Sequence, residues 1–133
     1  MPISITKADF APQLFIPSGV RNVDFYVDGL GATELRRFSN DDGSVHVVEY
    51  ALGGSLFHLH EEKPSDGHYD PVATNGVTAL VGVFVDDVDG LMNQAIKAGA
   101  TLVKEAQDYE YGYRQGEIKD PFGHIWLIEK KID

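Results

Sequence analysis

Two stretches of the chain, 69 residues apart, are built to one plan. Gly54-Ser55-Leu56-Phe57-His58-Leu59-His60-Glu61-Glu62 and Gly123-His124-Ile125-Trp126-Leu127-Ile128-Glu129-Lys130-Lys131 each open on glycine, carry an aromatic at the fourth place and close on two charged residues. Gly31-Ala32-Thr33 recurs as Gly99-Ala100-Thr101 at an offset of 68. Two independent matches at nearly one spacing predict a duplicated module, and such self-similarity constrains the architecture before any local assignment is made. The second copy is introduced by Asp120-Pro121-Phe122-Gly123, with Asp first, Pro second and Gly fourth, which is type I turn chemistry leading into a closing hairpin strand.

Taken in order, Gln13-Leu14-Phe15-Ile16 is the best early strand, and Pro17-Ser18-Gly19 breaks it. Val20, Val23, Phe25, Tyr26 and Leu30 have a loose helical spacing ended by Gly29 and Gly31. Thr33 to Phe38 reads as a strand. Asn40-Asp41-Asp42-Gly43 is a hairpin signal, and Val45–Leu52 and Leu56–His60 follow as strands. In the second half Ala79–Val85 is a continuous apolar run, expected to be buried on both faces. Asp86-Asp87 then precedes Val88, Leu91, Met92, Ala95 and Ile96, an apolar helical stripe with acids at its start and Gly99 at its end. Thr101–Val103 starts a strand that runs irregularly towards Tyr109, and Tyr113–Lys119 and Ile125–Lys130 make the last hairpin.

The expectation is an α+β fold: one domain over 1–133, made of two βαβββ modules (about 10–60 and 77–131) whose mixed sheets curve around a cavity. Residues 61–76 link the modules, a length that suits either a lid over a binding site or a solvated tether.

One module cannot cover its own sheet, so two open faces are left to enclose a cavity, either within the chain or across a two-fold interface. The period-two rule sorts the side chains. Phe57 and Leu59 share one face and suit the helix side, as do Trp126 and Ile128. His58, His60, Leu127 and Glu129 fall on the other face.

A formal charge of −10, from 21 acidic and 11 basic residues, disfavours nucleic acid and anionic membrane as partners. The same excess suits solubility or a cationic ligand. The chain has no cysteine, so disulfides, thiolate zinc sites and a cysteine nucleophile are excluded. No segment has the length of a membrane span, and a cytoplasmic location is expected.

The paired modules, the Asp-Pro-x-Gly hairpin at Asp120–Gly123 and the run Phe25-Tyr26…Leu30-Gly31-Ala32 resemble the vicinal oxygen chelate superfamily. That superfamily includes glyoxalase I, extradiol dioxygenases, fosfomycin resistance enzymes and bleomycin resistance proteins. The segment Arg114 to Trp126 is similar to the ending of its PhnB-like or bleomycin-resistance-like branch. The resemblance implies a divalent metal on four inward residues, which map here to Ala11, His58, Leu80 and Leu127. Only His58 can ligate, so the usual centre is not expected and no cofactor is implied. A rearranged set of His58, His60 and Glu129 is the alternative, and it would serve a glyoxalase-like lyase or dioxygenase.

Two functions follow. The first is a metal-free protein that sequesters a small cationic or aromatic ligand in the inter-module cavity, as bleomycin resistance proteins do. The second is an enzyme using that metal set or using His58 as general base beside Glu129. The ligand-binding candidates are Phe15, Phe57, His58, His60, Tyr111, Tyr113, Arg114, Trp126 and Glu129. Tyr109, Tyr111 and Tyr113 alternate and can share a face, and Arg114 can either hold an anion or pair with neighbouring acids. His46 and His68 are expected at the surface, and a homodimer is expected.

Overall fold

The computed structural model describes residues 2–133. Strand β1 (Gln13–Ile16), helix α1 (Phe25–Leu30) and strands β2 (Thr33–Ser39), β3 (Val45–Leu52) and β4 (Ser55–Glu61) form the first module. A linker carries a 3-10 turn at Pro64–Asp66 and the short helix α2 (Pro71–Thr74). Strand β5 (Val81–Phe84), helix α3 (Val88–Lys97) and strands β6 (Thr101–Tyr109), β7 (Tyr113–Lys119) and β8 (Ile125–Lys131) form the second.

The two sheets repeat one topology, with spatial orders β1-β4-β3-β2 and β5-β8-β7-β6. In each, the first strand lies parallel to the last and the remaining pairs are antiparallel. The 69-residue offset survives in the register: Gln13 faces His58 as Gly82 faces Leu127, and Phe15 faces His60 as Phe84 faces Glu129. The modules are therefore equivalent residue by residue along these strands.

Several elements differ from the sequence expectation for physical reasons. Helix α1 starts only at Phe25; Val20 and Val23 belong to an irregular lead-in, and Gly29 lies inside the helix. Gly29 is needed there, because a Cβ would stand 3.1 Å from Ala98 Cβ and 2.7 Å from the Phe25 ring, so its absence allows α1 to approach the end of α3 closely. Strand β5 is shorter than Ala79–Val85 and is covered on one side only, with Phe84 63% exposed. The linker is not featureless: the buried Asp70 carboxylate accepts from the amides of Val72 and Ala73 and so starts α2.

One hydrophobic core serves both modules. Phe57 of β4 meets Trp126 of β8 edge to face, with ring centroids 5.3 Å apart, and Tyr26 of α1 contacts both rings. Beside them, Asp120 is buried and saturated with donors. Its Oδ2 accepts from Tyr26 Oη at 2.7 Å and Trp126 Nε1 at 3.0 Å, while Oδ1 accepts from the amides of Phe122 and His124. The helix-covered faces of the two sheets thus meet back to back. Since side chains alternate along a strand, His58 and Leu127, one residue on from the touching Phe57 and Trp126, point away from each other.

Burial, then the neighbouring Asp120 carboxylate, raises the Tyr26 hydroxyl well above tyrosine's ordinary pKa, and burial also raises Tyr50. The folded chain keeps two protons that the unfolded chain releases near pH 10. This stabilisation is complete below about pH 10 and is lost as pH rises beyond it. Urea unfolding followed from pH 9 to 11.5 is expected to show stability falling with a slope approaching about 2.7 kcal/mol per pH unit, two protons at about 1.36 each. In Tyr26→Phe that slope should halve.

Candidate functional site

The open face of the first module gathers Gln13 and Phe15 of β1, His58 and His60 of β4, Val47 and Glu49 of β3, and Arg36 and Phe38 of β2. His60 Nε2 lies 2.6 Å from Gln13 Oε1, which assigns the proton to that nitrogen as the donor. Burial, then the nearby imidazoles of His58, His46 and His68, lowers the His60 pKa. Arg36 donates to Glu49 at 2.8 Å and stands 4.9 Å over the Phe38 ring. His68, from the linker, stacks on Phe15 at 4.5 Å. The His58 ring has no hydrogen-bond partner among the described residues.

The second module presents a different surface on the same scaffold. Glu129 is buried, with 7% exposure, yet its carboxylate receives a single side-chain donor, Gln115 Nε2 on Oε1 at 2.8 Å. Its Oε2 lies over Gly82, where a Cβ would come within 3.0 Å. Tyr111 donates to Gln115 Oε1, extending the chain outwards. Tyr109 and Tyr111 stack at 5.2 Å, and Phe84 meets Tyr113 edge-on at 6.0 Å. A hollow of about 230 Å³ opens here between Lys104, Tyr109, Tyr111, Gln115, Glu117 and Leu127.

The sequence candidates divide three ways. Phe15, His58, His60, Tyr111, Tyr113 and Glu129 lie on the open faces. Phe57 and Trp126 do not, being 3% and 1% exposed in the shared core, as their place in the alternation required. Arg114 is also on the helix side. Its Nε and Nη2 grip both oxygens of Asp89 at 2.9 and 2.8 Å and its Nη1 reaches Asp108 at 3.0 Å, so the acids of α3 and β6 take the guanidinium that was offered to an anion. Gln13, Phe84, Gln115 and Gly82 are site residues that sequence reasoning missed. The 69-residue offset that relates Ala11 to Leu80 also pairs Phe15 with Phe84 and Gln13 with Gly82, a signal that could have found them.

The family's metal positions do not fit an ion. Ala11 and Leu80 precede their strands, Leu127 is aliphatic, and only His58 offers a nitrogen. The rearranged set is not assembled either. His58 and His60 have ring centroids 6.0 Å apart, Glu129 stands on the other sheet, and no three His, Cys, Asp or Glu gather among the described residues. Nor does the chain close its open faces on each other. A larger hollow of about 510 Å³, between β1, the linker and the start of β5, is bordered by His68 and His124 but not by His58, His60 or Glu129.

The family model described as the Glyoxalase/Bleomycin resistance protein/Dioxygenase superfamily matches residues 12–128. The chain belongs to this superfamily. Mb0911c of Mycobacterium bovis, described as an uncharacterized protein, is 30% identical over 135 residues, covering 99% of this chain and 88% of its own. Among solved structures, TioX from Micromonospora sp. ML1 is 25% identical with a TM-score of 0.69, covering 92% of this chain and 95% of its own. A putative glyoxalase family protein from Bacillus anthracis superposes with a TM-score of 0.70 at 18% identity, covering 98% and 99%, and shows the fold alone. Within the described residues no helix is long and apolar enough to cross a membrane.

The division between core and open face has a direct stability signature. Phe57→Ala and Trp126→Ala should each cost about 3–5 kcal/mol in urea unfolding. His58→Ala and Tyr111→Ala should stay within about 0.5 kcal/mol of the parent chain.

Proposed function

We propose that this superfamily member is a metal-free binding protein for a small, planar, cationic aromatic molecule, held between two copies of the chain. The open face of the first module in one copy is set against the open face of the second module in the other, and the two-fold axis makes two such chambers. The mode is that of bleomycin-resistance-like sequestration, with no covalent change to the ligand.

One observation carries the reading. Asp120 and Glu129 are both buried carboxylates, but Asp120 has four donors while Glu129 has one, a neutral amide. The Glu129 Oε2 has no donor from the chain yet is not sealed from solvent, so it offers a charged acceptor at the open face that a cation can meet. Around it stand Tyr109, Tyr111, Tyr113 and Phe84, whose ring faces favour a positively charged planar guest. The apolar open-face side chains Phe38, Leu56 and Phe84 are 44%, 47% and 63% exposed, surface that a second copy would cover.

A second reading, an enzyme, rests on the unpartnered His58 ring. Bringing His58 and His60 of one copy towards Glu129 of another would recreate a two-imidazole, one-carboxylate set.

Calorimetric titration with the cationic dye proflavine, beside the neutral analogue acridone, separates these. Micromolar proflavine binding that weakens at least tenfold in Glu129→Gln, about 1.4 kcal/mol, is the expected result. Equal binding of acridone, or no binding of either, would contradict the proposal. A stoichiometric transition metal in the natively purified protein, lost in His58→Ala, would install the enzyme reading instead.

A further inference from the structure

A chain of hydrogen bonds runs across the open face of the second module. In register, Gln115 of β7 lies between Gln107 of β6 and Glu129 of β8. The place beside His60 in the first module is held by the apolar Val47, so no such chain can form there. Gln115 Nε2 donates to Glu129 Oε1 at 2.8 Å, and Tyr111 Oη donates to Gln115 Oε1. Tyr111 is steadied in turn by its stack on Tyr109, with ring centroids 5.2 Å apart, and Tyr109 Oη accepts from Gln107 Nε2 at 3.0 Å.

The chemistry of its members fixes the direction of this chain. A carboxylate can only accept, so the Gln115 amide turns its nitrogen to Glu129 and its oxygen away. An amide oxygen can only accept, so Tyr111 gives it the hydroxyl hydrogen. Turning the amide round would set its oxygen against the carboxylate, so Glu129 holds the polarity of a hydroxyl two hydrogen bonds away. What is left facing outwards is acceptor. The Tyr111 oxygen keeps its lone pairs on a side chain that is 59% exposed, and Glu129 Oε2 receives no donor from the chain. Lys104, which borders the same hollow, is already met by an acid, its Nζ standing 3.4 Å from Glu117 Oε2.

We propose that this face selects its cationic guest by N–H donors, with Tyr111 as a specificity-determining residue: one donor of the guest meets Glu129 Oε2 and another meets the Tyr111 oxygen. The guest class is then a planar aromatic cation that bears amino or amidinium N–H groups. A fixed cation without N–H, such as an N-alkylated ring, is the poorer ligand. Charge alone attracts a cation to Glu129, whereas the neutral Tyr111 oxygen favours only a hydrogen-bond donor. The stack on Tyr109 keeps that oxygen in place before the guest arrives, so little ordering is left to binding. The proposal rests on the cation-binding reading above and narrows it.

The test is calorimetric titration of the full chain with two planar cations of one ring system: proflavine, which carries N–H groups, and 10-methylacridinium, which carries none. Wild type should bind proflavine about tenfold more tightly than 10-methylacridinium. Tyr111→Phe removes only the hydroxyl, and should weaken proflavine about three- to tenfold while leaving 10-methylacridinium unchanged. Glu129→Gln should weaken both cations. Equal affinity of wild type for the two, or a Tyr111→Phe chain whose preference for proflavine is undiminished, would overturn the donor rule while leaving the cation reading standing. Binding of neither cation would remove both.

Discussion

The carboxylate of Asp120 is where the two halves of the chain are tied. It sits in the turn that opens β8, yet one of its oxygens holds the hydroxyl of Tyr26, 94 residues away on α1, together with the indole of Trp126. A buried charge is tolerated only where donors replace its lost water, and here four do so. The consequence is geometric. Tyr26, Phe57 and Trp126 can share a single aromatic core only if the helix-covered faces of both sheets are turned inwards. The opposite faces are thereby turned out. The open surfaces of this protein are thus a product of its most deeply buried interaction.

Duplication gives those surfaces one scaffold and two chemistries. The same register position holds His60 opposite Phe15 in one module and Glu129 opposite Phe84 in the other. His60 is matched to Gln13, whereas Glu129 leans on Gln115 and overlies a glycine. An imidazole-rich face and a carboxylate-and-tyrosine face are complementary, which is the basis of the pairing of copies proposed above. Membership of the glyoxalase/bleomycin resistance/dioxygenase superfamily accounts for the scaffold; the chemistry is written in the substitutions on the open faces.

Much of the fold was legible because hydrophobic alternation and the repeat are local or periodic signals. The strand pattern, the α3 stripe, the hairpin turns and the sorting of Phe57 from His58 all followed from spacing. Contacts that join distant residues were not legible. Asp120 reads as the first residue of a turn, and the Gly123 amide does donate to the Asp120 carbonyl, but nothing local announces Tyr26. Arg114 looked equally suited to a ligand or to an acid, and only the fold could bring Asp89 beside it. Whether the two modules would meet by their open or their covered faces turned on the same long-range contacts. The expectation that β5 is buried on both sides failed for that reason: an apolar run does not say what lies against it.

The central claim is that the open faces point apart within one chain, so that the proposed chamber can form only between chains. The absence of native cysteine makes this accessible to a short bismaleimide cross-linker. The measurement compares a mixture of His58→Cys and Glu129→Cys chains with the double variant diluted until monomeric. The account predicts a covalent heterodimer in the mixture and no intrachain bridge in the dilute double variant. An efficient intrachain bridge between positions 58 and 129 would contradict it.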